Sequence, residues 1–100
     1  MKHKIFAIND IKAKAYFPPF YLPETEMAQR KFGDLINTET ELSLHPADYT
    51  LFELGEWDDN TAEFTLLEIK ENLGNGLEYV AQDVGVTNEP LYEGDEASGD

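Results

Sequence analysis

The residues best suited to do chemistry in this chain lie close together. Residues 12–21, KAKAYFPPFY, hold two lysines, two tyrosines and two phenylalanines. Single-stranded nucleic acid is held by a positive track for its backbone and by aromatic faces on which bases stack, worth ~1–3 kcal/mol per base. Lys12 and Lys14 supply the cations and Tyr16 and Tyr21 the rings, and Arg30 and Lys31 follow on the next segment. The same residue types also build ordinary core. Phe17 and Phe20 are expected to pack inward, and Pro18-Pro19 stiffens the chain. The stretch is therefore either a stacking surface or a proline-stiffened piece of core, and its composition alone leaves both open.

Other chemistries find less support. There is no cysteine, which removes disulfides, thiolate nucleophiles and thiolate-held zinc together. The two histidines, His3 and His45, have no neighbour at zinc-ligand spacing. Ser43 and Ser98 sit in polar segments with no nucleophile elbow. Phosphate-binding glycine loops are missing. Asp58-Asp59-Asn60 lacks the alternating acids, central glycine and terminal glutamate of a calcium loop, and reads as a turn. The sequence thus predicts a protein that is not an enzyme and takes neither metal nor cofactor.

Charge sharpens the choice of partner. The chain has 100 residues and a formal net charge of −14, which speaks against a general nucleic-acid coat. The charge is uneven, however. Six of the seven basic residues fall within the first 31, so residues 1–35 carry a net +2 and residues 36–100 a net −16. An acidic remainder would repel nucleic acid elsewhere and focus contact on one basic region. No apolar run is long enough to span a membrane, and Asn9 and Asp10 interrupt the first apolar segment, so a signal peptide is not expected.

The elements that must position these groups follow from periodicity. HKIFAI at 3–8 reads as a strand. Alternation over 11–17 predicts a second strand, with Lys12, Lys14 and Tyr16 projecting from one face. Pro23 through Asn37 reads as a helix with a stripe of Met27, Ala28, Phe32, Leu35 and Ile36. After a polar connector, residues 49–57 and 61–69 form a hairpin around Asp58-Asp59-Asn60. Gly74-Asn75-Gly76 marks a turn, and 77–86 a last short strand. The expected fold is α+β: one small domain over 1–86, an antiparallel sheet with one main helix packed on it, and a flexible acidic tail over 87–100.

The order of segments carries a resemblance. IKAKAYFPPFYLP, AQRKFGDLIN and LHPADYTLFELGEWDDNTAEF, over roughly residues 4–80, resemble the small non-structural protein of gokushoviruses, single-stranded DNA phages of the Microviridae. The likeness rests on Pro19-Phe20, Arg30 with Phe32, and His45-Pro46-x-Asp48-Tyr49 followed by Leu51 and Gly55. It implies a phage protein of the host cytoplasm, absent from the virion, that binds DNA when replication turns to single-stranded genomes. It brings no catalytic residues.

Two functions are carried forward. The first is single-stranded DNA binding through Lys12, Lys14, Tyr16, Tyr21, Arg30 and Lys31. The second is an acidic homodimeric interaction module that regulates replication or packaging through a phage or host protein. Its interface would use Tyr16, Tyr21 and Trp57, with the extended arm pairing across a two-fold axis.

Overall fold

The computed structural model describes residues 1–81. Strand β1 (Lys2–Asp10) opens the chain and becomes the centre of the sheet. On one side it pairs antiparallel with β2 (Ala15–Tyr16) and β3 (Phe20–Leu22), and on the other with β4 (Tyr49–Asp58). Strand β5 (Glu63–Asn75) pairs with β4 and forms the far edge. Helix α1 (Thr25–Asn37) packs on one face, followed by the short α2 (Glu41–Leu44) and a 3-10 turn at Pro46–Asp48. This is the expected α+β domain, an antiparallel sheet with one main helix.

The core lies between α1 and the sheet. Ala28, Phe32 and Ile36 recur every four residues and meet Phe6, Ile8, Tyr49 and Leu51. Phe6, Phe32 and Leu51 are fully buried, each contributing roughly 1.5–3 kcal/mol of transfer free energy. Met27 leaves the expected stripe and stays exposed, whereas Leu35 packs on the core margin. The helix begins at Thr25, with Glu24 in extended backbone before it, so Pro23 stands outside the first turn that it was expected to start.

Residues 11–14 depart from the predicted alternation. They form a turn, because the Asp10 carboxylate accepts hydrogen bonds from the backbone N–H groups of Lys12 (3.0 Å) and Ala13 (3.2 Å). Lys14 then takes a left-handed backbone, φ 57°. Lys12, Lys14 and Tyr16 therefore do not share a strand face; only Tyr16 is in a strand. Pro18 and Pro19, which have no N–H to donate, separate β2 from β3.

Beyond β4 the returning strand runs longer than expected, to Asn75. A last strand does not follow among the described residues: Gly76–Tyr79 is a 3-10 turn. The Asn75 side chain accepts from the Leu77 N–H at 3.0 Å, and the Glu78 carboxylate accepts from the Asn75 N–H at 3.1 Å. Glycine is required at 76, where a Cβ would lie 2.2 Å from the Pro46 carbonyl oxygen. Asn37 ties the chain end back to α1: its amide donates to the Tyr79 carbonyl at 2.7 Å and its carbonyl accepts from the Ala81 N–H at 2.8 Å. The remainder of the strand expected to reach 86, and the tail expected over 87–100, lie outside the described residues.

Candidate nucleic-acid interface

Strand register sorts side chains onto two faces, since residues directly opposite one another share a face and neighbours alternate. Phe6, Ile8 and Leu51 fix which face meets the helix. The other face is built from four cross-strand rows. They are His3–Trp57–Phe64, Tyr21–Ile5–Gly55–Leu66, Ala7–Phe52–Asn72, and Tyr16–Asn9–Thr50–Asn75. The strands keep these rows aligned despite a bulge at Leu54, where the register shifts between Ile5 and Phe6.

The rows contain no carboxylate, no lysine and no arginine. Every Asp, Glu and Lys at a paired position points to the helix side: Lys2, Asp58 and Glu63 in one row, Lys4 and Glu56 in the next, then Glu53 with Glu71, and Asp10. Glu53 is the buried member of that set. It accepts from the Thr25 hydroxyl at 3.0 Å and lies 3.5 Å from the Lys4 ammonium, so its charge is paired and bonded. A chain with a net charge of −14 thus presents one sheet face without a charged carboxylate in its ladder.

That open face is aromatic. Trp57 meets His3 at 5.7 Å, Tyr21 at 6.1 Å and Phe64 at 6.4 Å between ring centroids. These four side chains line a cleft of about 490 Å³. Farther along, Tyr16 and Phe52 meet edge to face with ring centroids 5.9 Å apart. The two groups are six residues apart on β1, or about 20 Å at ~3.3 Å per residue. None of these pairs is stacked plane on plane; their interplanar angles run from 41° to 67°. The stacked pairs, Phe6–Phe20 and Phe17–Tyr49, involve core residues. Phe64 is 59% exposed, Tyr16 45% and Tyr21 42%, so flat ligands have access to ring surface.

Asp59, at the hairpin tip, organises one end of the cleft. One carboxylate oxygen accepts from the Met1 amine at 2.7 Å and the other is 2.9 Å from His3 Nε2. The hydrogen bond from the amine, then that from His3, holds the Asp59 carboxyl below its usual range; the same bond raises the amine. His3 is thereby anchored beside Trp57.

The residues expected from sequence are divided. Tyr16 and Tyr21 lie on the open face, in its last and second rows. Lys12 and Lys14 occupy the turn that borders the Tyr16 row. Arg30 and Lys31 sit on α1, across the sheet, in a groove with Leu22, Glu26, Met27 and Asp34. The Lys31 ammonium lies 5.7 Å from the Phe20 ring centre. Among the described residues none of these four cations forms an ion pair. Phe20 packs against the core, as expected; Phe17 stacks on Tyr49 but stays partly exposed. The arm at 15–22 pairs with β1 of its own chain.

Sequence reading assigned Trp57 only to a protein interface and did not single out His3, Phe52 or Phe64 as site residues. A signal was present for one pair. Trp57 and Phe64 flank the DDNTAE turn symmetrically, so hairpin pairing must set them side by side. Among the described residues no group of three or more His, Cys, Asp or Glu could hold a metal ion, and no helix is long and apolar enough to cross a membrane.

No curated protein and no solved structure matches the chain. The model of one family, described as phage ORF5 protein, matches residues 3–79, which takes in all but the first residue of β1, the other strands, α1 and all four rows of the open face. The chain belongs to the phage ORF5 protein family.

Proposed function

We propose that this phage protein binds single-stranded DNA on its open sheet face, in the host cytoplasm, as the genome is replicated into single strands. The observation that carries the reading is the aromatic, carboxylate-free ladder, extending about 20 Å from Trp57 to Tyr16. Bases stack on Trp57, Phe64, Tyr21 and Tyr16, and Lys12 and Lys14 neutralise phosphate at the Tyr16 end. Arg30 and Lys31, across the sheet, serve only a strand that wraps the edge at β3. Stacking supplies most of the affinity because few cations border the face. No catalytic step and no cofactor belong to this function.

Anisotropy of a labelled single strand of about 16 nucleotides, near the upper site size of a small stacking domain, tests the reading. Binding to the single strand and much weaker binding to the same sequence as duplex is the expected result. Equal affinity for both, or no binding at low salt, removes the function.

A second reading draws on the other face, where Asp10, Glu56, Asp58, Glu63 and Glu71 share one side of the sheet. On it the protein is an interaction module whose carboxylates meet a basic patch on a phage or host replication protein. Capture of such a partner by the wild type, and its loss on reversing Glu56 and Glu63, would favour this reading.

A further inference from the structure

One apolar feature is not explained by base stacking. Strand β5 pairs Glu71 with Glu53 and Leu66 with Gly55, so residues 67–70 face only Leu54 of β4. Those four residues, LEIK, bulge from the sheet edge without cross-strand partners. Bulges usually protect an edge by placing charge or twist there. This one sets an isoleucine at its tip: Ile69 is 83% exposed, with Leu66 and Leu67 beside it. Aliphatic side chains offer no flat face to a base. Glu68 and Lys70 flank Ile69, and Lys70 is the only basic residue after Lys31. It forms no ion pair among the described residues, although the chain around it is acidic.

We infer that this bulge is a self-association site, occupied by the bulge of a second copy of the chain in antiparallel orientation about a two-fold axis at Ile69. Charge complementarity selects the occupant and the register. About that axis Ile69 meets the partner's Ile69, and Glu68 meets the partner's Lys70, with the same ion pair repeated on the other side. A one-residue slip in one direction sets Glu68 against the partner's Ile69 and Leu67 against the partner's Lys70, which loses both ion pairs; the register centred on Ile69 keeps them, with Leu67 opposite the partner's Glu71. The opposite slip sets Glu68 against the partner's Glu71, a like-charge clash. Only the register centred on Ile69 satisfies both flanking charges. Glu68, Ile69 and Lys70 belong to none of the four rows of the open aromatic face. The inference therefore stands whether or not that face binds DNA.

Charge reversal tests it in the full chain by sedimentation velocity over a wide concentration range, with circular dichroism to check each variant's fold. The wild type is expected to pass from monomer to dimer with concentration. Glu68→Lys alone and Lys70→Glu alone should each weaken the dimer at least tenfold, because each sets like charges together twice. The double variant Glu68→Lys/Lys70→Glu should restore wild-type dimerisation to within a few-fold. Ile69→Asp should abolish it. These side chains are exposed and outside the core, so the variants keep their fold. A wild type that stays monomeric throughout, single reversals that leave the dimer intact, or a double reversal that fails to rescue would each overturn the proposal.

Discussion

The two faces of one sheet differ more than the two halves of the sequence do. On the helix side lie the core phenylalanines and every Asp, Glu and Lys at a paired position. The opposite side has rings, amides and a single histidine, set among the small or aliphatic Ile5, Ala7, Thr50, Gly55 and Leu66. Strand alternation is the cause: in β5, Glu63 and Phe64 are neighbours yet point to opposite sides. Net charge is therefore a poor guide to what one surface of this protein can bind. An acidic chain can keep the paired rows of an aromatic sheet face clear of carboxylates by placing them one residue out of phase, with Asp59 at the hairpin tip bonded to the Met1 amine and His3.

Breaking the two faces separately should give opposite outcomes. The largest expected effect is on stability. Phe32→Ala empties the centre of the helix-side core and should cost ~3–5 kcal/mol in urea unfolding, while weakening DNA binding only through the unfolded fraction. Gly55→Ala attacks the open face through the backbone. Its φ is 156°, and a Cβ would lie 2.3 Å from the Thr65 carbonyl oxygen, so the hairpin must shift. A loss of about 1–3 kcal/mol is expected for strain of this kind, together with weaker DNA binding as Trp57 and Phe64 lose alignment.

Trp57→Ala is the complementary cut. It should lower affinity for a single strand by ~1–3 kcal/mol, roughly 5–150-fold, and lower the urea midpoint less than Phe32→Ala does, because Trp57 packs on His3, Tyr21 and Phe64 outside the helix-side core. Smaller still is the contribution of cations. Reversing Lys12 and Lys14 to Glu should reduce the salt slope of single-strand binding by about 1.4, the value for two phosphate contacts. Reversing Arg30 and Lys31, across the sheet, should change it less. Equal effects from the two pairs would mean that the strand does not keep to the open face.

The smallest effect concerns pH. The Asp59 carboxyl is held below its ordinary value of 3.8 by hydrogen bonds from the Met1 amine and His3. Its contribution to stability is thus present above that ordinary value and lost as pH falls through the lower folded one. Asp59→Asn should remove that part of the acid dependence of thermal unfolding. Because the group is exposed, the change should be slight.

Much of this fold was legible because it rests on local rules. The Phe32 and Ile36 stripe declared the helix, and DDNTAE declared the hairpin. The alternation over 11–17 misled, because the Asp10 carboxylate captures two backbone N–H groups and turns the chain. Of the six residues singled out by composition, Tyr16 and Tyr21 face the open side, and Lys12 and Lys14 lie in the turn beside it. The separation of Arg30 and Lys31 from them was not legible, since it depends on which face the helix covers. Nor was the charge-free ladder, which depends on long-range register and on the bulge at Leu54 that reverses the phase of β4.

The central claim is most directly tested at Trp57, the only tryptophan in the chain. Its emission should be followed as the wild-type protein is titrated with a single strand whose binding is monitored in parallel by anisotropy. Stacking on the open face predicts quenching that saturates together with binding, and that persists at salt concentrations that abolish purely phosphate-driven association. Binding with no change in Trp57 emission would contradict the account, because the strand would then lie elsewhere on the protein.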